Sequence, residues 1–139
     1  MVDALRESWR VLKRRGVLID ERPASAPMII EVMAGMKAFW PTAVNRPVIE
    51  DDNGAADRAV RHAVGQRWFM PAESRAFSFD IYCDAASDLM AYAQMHRRMR
   101  DADIPYGDLE KRRRELTHSG QMAYLRCRRP WAVRAFHKA

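Results

Sequence analysis

The sequence predicts an α+β fold: a small mixed β-sheet with helices, in a single domain over residues 1–139. Three observations carry this prediction. Ala56, Ala59, Val60, Ala63 and Val64 fall at i, i+3, i+4, i+7 and i+8, one apolar face of a helix. Phe77, Phe79, Ile81 and Cys83 alternate with Ser78, Asp80, Tyr82 and Asp84, the period of a strand with one core face and one polar face. The chain opens on a further helix-to-strand unit, with Val2, Leu5, Trp9 and Leu12 at helical spacing before the short apolar run Val17-Leu18-Ile19.

In that opening unit, Lys13, Arg14 and Arg15 crowd the expected last helical turn, where the dipole favours cations, and Gly16 is expected to supply the left-handed cap. Val17, Leu18 and Ile19 are apolar on both faces, as in a strand inside a sheet. Pro23 and Pro27 then force an extended exit. Met28-Ile29-Ile30-Glu31-Val32-Met33 suits a strand by its β-branched residues and a helix by its Met and Glu. Gly35 and Pro41 punctuate the next stretch, a hairpin-like excursion, with Arg46 to Glu50 as one more short strand. Asp51 to Gly54 reads as a loop in which Asp52 or Asn53 caps the alanine-faced helix, which runs on to Trp68-Phe69-Met70 and stops against Pro71.

The alternating strand spans Glu73 to Asp84. Asp84 or Ser87 is expected to cap a helix reaching about Arg100, with Leu89, Ala93 and His96 on one side. Pro105 and Asp108 open another helix from Leu109 to about Thr117, whose narrow stripe of Leu109 and Leu116 marks it as superficial. A last strand runs from Gln121 to Pro130, and Trp131 to Phe136 continues as strand, either returning as a hairpin arm or running on past a bend.

The opening unit resembles a piece of the class I S-adenosylmethionine-dependent methyltransferases. Before their fifth strand, many carry a helix ending Arg-Val-Leu-Lys-Pro-Gly-Gly, then an apolar strand. Arg10-Val11-Leu12-Lys13 and Gly16-Val17-Leu18-Ile19 match, while Arg14 and Arg15 replace the usual Pro and Gly. The terminal strand, ending Arg128-Arg129-Pro130, also resembles that family's last strand. The resemblance is sharp over about twenty residues and implies an α/β-derived sheet like the family's contiguous block of strands 5-7-6.

That resemblance places the donor-binding half upstream of Met1. The six glycines, at 16, 35, 54, 65, 107 and 120, are isolated, and no G-x-G turn stands among the 139 residues. The implied protein is therefore a methyltransferase-like C-terminal domain lacking the S-adenosylmethionine site, with no cofactor and no stand-alone activity. In the family the fifth strand pairs with the fourth. The Val17–Ile19 edge is accordingly expected to be open and to associate with a second copy or a partner chain.

Composition limits other functions. Hydrophobic residues at 48% and charged residues at 30% describe an ordinary globule, and no apolar run approaches the ~18 residues of a membrane span. Asp3, Arg6 and Glu7 argue against a signal peptide, and Cys83 and Cys127 without C-x-x-C spacing read as two reduced thiols, so a cytoplasmic location is expected. The net charge of +6 raises nucleic acid as a partner. Its clusters are Arg97-Arg98-Met99-Arg100, Lys111 to Arg114 and Arg126-Cys127-Arg128-Arg129, which could bind phosphates weakly and without sequence preference. Asp101, Asp103, Asp108, Glu110 and Glu115 interleave with the first two clusters and favour a solvated helix face there instead.

The four histidines lie on four different elements without metal-ligand spacing, and neither serine nor cysteine sits in a nucleophile motif, so no catalytic, cofactor or metal residue is assigned. A pocket of the chain's own is the alternative. It would be built from Glu21 and Arg22 after the first strand, Asp80 and Tyr82 on the polar face of the alternating strand, and Trp40 beside the methionine cluster.

Overall fold

The structure is a computed structural model describing residues 1–96, 99 and 102–139. It is α+β: the described residues form four helices and five strands, the strands paired in the order β1-β5-β2-β3 with β4 also pairing with β5, and the sheet is not closed into a barrel. The helices are α1 (Val2–Val11), α2 (Pro47–Gly65), α3 (Ala86–Met95) and α4 (Tyr106–His118). The strands are β1 (Val17–Pro23), β2 (Met28–Ala34), β3 (Lys37–Val44), β4 (Phe69–Cys83) and β5 (Ala123–Lys138). The chain forms two compact units, one of residues 1–24, 49–77 and 131–139, the other of 25–48 and 78–130.

In the first unit β1 pairs antiparallel with the last part of β5, from Val17 opposite His137 to Pro23 opposite Trp131. Its core gathers Phe136, Phe69 and Ala63, with Leu5, Trp9, Leu12 and Leu18 packed against them. Helix α1 ends at Val11, short of the basic run, and the left-handed residue is Arg15 (φ 63°) rather than Gly16. Gly16 is needed for another reason: a Cβ there would stand 2.8 Å from the Lys13 carbonyl oxygen. Strand β1 lies at the end of the sheet order rather than inside it, and Val17 and Ile19 are 45% and 56% exposed.

Helix α2 begins at Pro47, so the expected strand at Arg46–Glu50 and the expected loop at Asp51–Gly54 are both helix. Proline suits the first helical turn, where its missing N–H is not needed. Ile49, Asn53, Ala59 and Ala63 are buried on one face, and Asn53 is held by a tertiary contact, its Nδ2 donating to the Pro23 carbonyl at 2.7 Å. That face outweighs Gly54, which costs about 1 kcal/mol inside a helix. The helix stops at Gly65, earlier than expected, and Arg67 (φ 57°) turns the chain into β4, which takes in Pro71. Phe77 and Phe79 are exposed rather than core; Phe77 stacks on Trp131 at 6.4 Å between centroids.

In the second unit β2 pairs antiparallel with β3 and with the first part of β5, from Ile29 opposite Arg128 to Ala34 opposite Ala123. The β2–β3 hairpin turns at Gly35 (φ 56°), as the glycine predicts. Met28, Ile30, Val32, Leu125 and Cys127 form the core, with Leu89 and Ala93 of α3 and Leu109 of α4. Cys83 and Cys127 are free, buried thiols, and burial pushes Cys127 up to about 12. Strand β5 neither returns nor ends at Pro130 but runs on to Lys138.

Helix α3 is capped by neither Asp84 nor Ser87: Ala85 stands at the N-cap, and Asp88 Oδ2 accepts its N–H at 3.0 Å. His96 is exposed, its ring 4.1 Å from Tyr92. The expected continuation through Arg97, Arg98 and Arg100 lies outside the described residues. Glu110 of α4 accepts from the Ala86 N–H at 3.1 Å and from Arg113 and Arg114 at 2.7–3.0 Å. The Arg113 hydrogen bond, against burial and with help from Arg114, holds the Glu110 carboxyl down at about 2.

Packing and charge in these units predict two outcomes. Leu125→Ala should cost about 2–5 kcal/mol in denaturant unfolding, whereas exposed Ile19→Ala should stay within about 0.5 kcal/mol. Because Glu110 ionises more readily folded than unfolded, its contribution is complete above its ordinary value of 4.5 and lost as pH falls toward 2. Glu110→Gln should flatten that acid limb of the stability profile, and an unchanged limb would show the carboxylate contributes nothing.

Candidate functional site

In the first unit, Asp20 and Arg22 of β1 meet Asp57 of α2 and Arg134 of β5 in a ring of alternating charge. Arg22 reaches Asp20 at 3.1 Å and Asp57 at 2.5 Å, while Arg134 reaches Asp20 at 2.5 Å and Asp57 at 2.9 Å. The local reasons are simple. Asp20 and Arg134 are register partners across the β1–β5 ladder, and Asp20 and Arg22, two apart on a strand, share a face. Helix α2 lowers Asp57 onto both arginines, and Arg22 also donates to the Asn53 carbonyl at 3.1 Å. Burial raises the Asp20 pKa, the Arg22 charge opposes it and Asp57 adds to it. Two cations and two anions leave the ring neutral, so it clamps helix to strands rather than offering a free charge to a ligand.

Beside the ring lies a cavity of about 630 Å³ lined by α2, the start of β4 and the end of β5. Its walls are mainly apolar: Val60 and Val64 from the helix, Pro71 and Ala72 from β4, Ala135 and Phe136 from β5. Arg61, Glu73, Ser74 and Arg134 supply its polar groups. Arg134 is held in the ring, and Glu73 binds Arg75 at 2.6 Å. Arg61 is exposed and has no ion pair or hydrogen bond among the described residues.

The expected pocket residues separate by unit. Glu21 is exposed on β1, and its neighbour Arg22 pairs with Asp20 and Asp57 instead. In the second unit, Asp80 accepts from Arg128 at 3.4 Å, Tyr82 lies 6.0 Å from the Tyr124 ring, and Trp40 carries the Arg112 guanidinium 5.3 Å above its ring. Trp40 has a positive φ of 47°, sparsely populated for a bulky residue, just before Pro41. Asp80 and Tyr82 also meet at Arg126, which hydrogen-bonds Tyr82 and feels the Asp80 charge, whereas Trp40 is engaged apart from them with Arg112.

Of the basic clusters, Arg97, Arg98 and Arg100 lie outside the described residues, and the arginines of the other two are engaged. Arg113 and Arg114 bind Glu110, Arg126 binds Glu31 at 2.7 Å, and buried Arg129 donates to the Tyr92 hydroxyl at 2.9 Å. The C-terminal cluster is therefore part of the packed sheet. No group of three or more potential metal ligands occurs among the described residues, and no described helix is long and apolar enough to cross a membrane.

The charge ring should behave as one coupled unit. Arg22→Gln and Asp57→Asn should each cost about 1–3 kcal/mol in denaturant unfolding, and the double variant should cost less than their sum by at least about 0.5 kcal/mol. Strict additivity would reduce the ring to independent surface pairs.

Sequence reasoning singled out Arg22 but missed Asp57, Arg134 and Arg61. No pattern of spacing joins residues 20, 57 and 134; only strand register and helix packing do. Comparison of the chain with protein-family models, curated proteins and solved structures finds no match.

Proposed function

We propose that this chain is a non-catalytic, methyltransferase-like domain that acts by associating with a second chain through the free edge of β1. The observation that carries the reading is the placement of that strand. It follows the Arg10–Lys13 segment and Gly16, pairs antiparallel with the terminal strand, and ends the sheet order. The resemblance implies the same antiparallel partnership between the family's fifth and seventh strands, with the fourth strand on the remaining edge. Here Val17 and Ile19 stand 45% and 56% exposed along that strand. One departure accompanies the likeness: residues 24–27 lead straight from β1 into β2, where the family places a helix.

Self-pairing across a two-fold axis is the simplest cover for such an edge. Complete burial of Val or Ile side chains gains about 1.5–3 kcal/mol each, and these are already half-covered. Four of them across a dimer give roughly 3–6 kcal/mol, and the new ladder hydrogen bonds add about 0.5–1.5 kcal/mol each. Against an association cost of about 4–15 kcal/mol, the sum predicts a weak complex, micromolar or looser.

Sedimentation over a range of protein concentrations should show a reversible monomer–dimer equilibrium, abolished by Ile19→Lys without a change in the circular dichroism spectrum. A wild-type chain that stays monomeric into the millimolar range, alone and with the donor-binding half of a methyltransferase supplied separately, would remove the association reading. Titration with S-adenosylmethionine in a calorimeter should give no saturable heat. Saturation at micromolar donor would overturn the non-catalytic assignment.

A further inference from the structure

The cavity of the first unit is not used by the proposed association, and its chemistry points to a ligand of its own. Its volume of about 630 Å³ lies inside the ~300–1,000 Å³ typical of small-molecule sites. Val60 and Val64 stand one helical turn apart on α2, so both reach the same wall, and they pack against the buried cluster that contains Phe136. Such walls favour an apolar body and reject a strongly hydrated one.

The polar groups set the sign of the rest. Arg134 is neutralised by Asp20 and Asp57, and Glu73 by Arg75. What remains is one cation, Arg61, next to Val60 on the helix and without an acidic partner among the described residues. The Ser74 hydroxyl on the β4 side can donate one further hydrogen bond. A guanidinium presents a planar fork of donors that matches a carboxylate two-to-two.

We infer that this cavity binds a small amphipathic monocarboxylate, its apolar body against Val60, Val64 and Phe136 and its carboxylate on Arg61. The polarity of the ligand follows from the single uncompensated charge: a dianion would leave one charge unmatched, and a cation would face Arg61. Chain-like and ring-bearing bodies share this chemistry, and the test separates them.

Decanoate and 2-naphthoate are titrated separately into the full chain, with amide shifts followed by NMR. At least one should saturate in the micromolar to low-millimolar range, with the shifts confined to residues 60–65, 71–74 and 134–136. Decanol and decylamine, at the same concentrations, should bind at least tenfold more weakly than decanoate. Arg61→Glu should weaken binding tenfold or more, Arg61→Lys should restore most of it, and Val64→Trp should abolish it by filling the cavity. Arg58→Glu, which changes the same helix outside the cavity, should bind as the unaltered chain does. Fold is checked in each variant by its amide spectrum. Failure of both carboxylates to saturate, shifts spread over other surfaces, or undiminished binding by Arg61→Glu would each overturn the inference. None of these results depends on whether the chain dimerises, so the two proposals fail separately.

Discussion

Strand β5 is the constraint on which the rest depends, and its register is held by charge as well as by hydrogen bonds. Arg126 stands opposite Glu31 in the β2–β5 ladder, and Arg134 stands opposite Asp20 in the β1–β5 ladder. Both pairs close into ion pairs, at 2.7 Å and 2.5 Å. A slip of one residue would turn each arginine to the other face of its ladder and leave a largely buried carboxylate without its partner. Breaking such a pair costs far more than forming it gains, so the charges act chiefly against wrong registers.

The same pairs explain why a chain of net charge +6 offers so little free positive surface at its C-terminal end. Arg126, Arg128 and Arg134 each meet a carboxylate, and Arg129 is buried against Tyr92. Phosphate binding by that cluster would have to break those contacts first. Arg61 stands out by contrast, exposed on α2 beside apolar cavity walls. Functional readings of this chain therefore rest on two features of the first unit, the β1 edge and the cavity, rather than on overall charge.

The opening helix, the apolar β1 segment, the hairpin turn at Gly35 and the stripe of α4 were legible because each is a local pattern. Where reading failed, a distant contact had decided. Val48 and Ile49 look like strand residues, and Asp51 to Gly54 look like a loop, yet α2 runs through all of them because Ile49 and Asn53 are buried on its face and Asn53 reaches Pro23. Phe77 and Phe79 alternate as core residues would, yet both are exposed. Alternation shows that two residues share a face; it does not show what covers that face. The basic run at Lys13 to Arg15 looked like a helix end, but the helix had already stopped at Val11.

By itself the sequence determined the α+β class, the positions of most elements and the isolation of its six glycines, because periodicity and turn chemistry act over a few neighbouring residues. Tertiary structure alone decided how Asp20, Arg22, Asp57 and Arg134 come together, and that Arg61 stands beside an apolar cavity without an ion-pair partner among the described residues. Those outcomes depend on register and packing between segments dozens of residues apart, and short-range spacing carries no record of which distant carboxylate will stand opposite a given arginine.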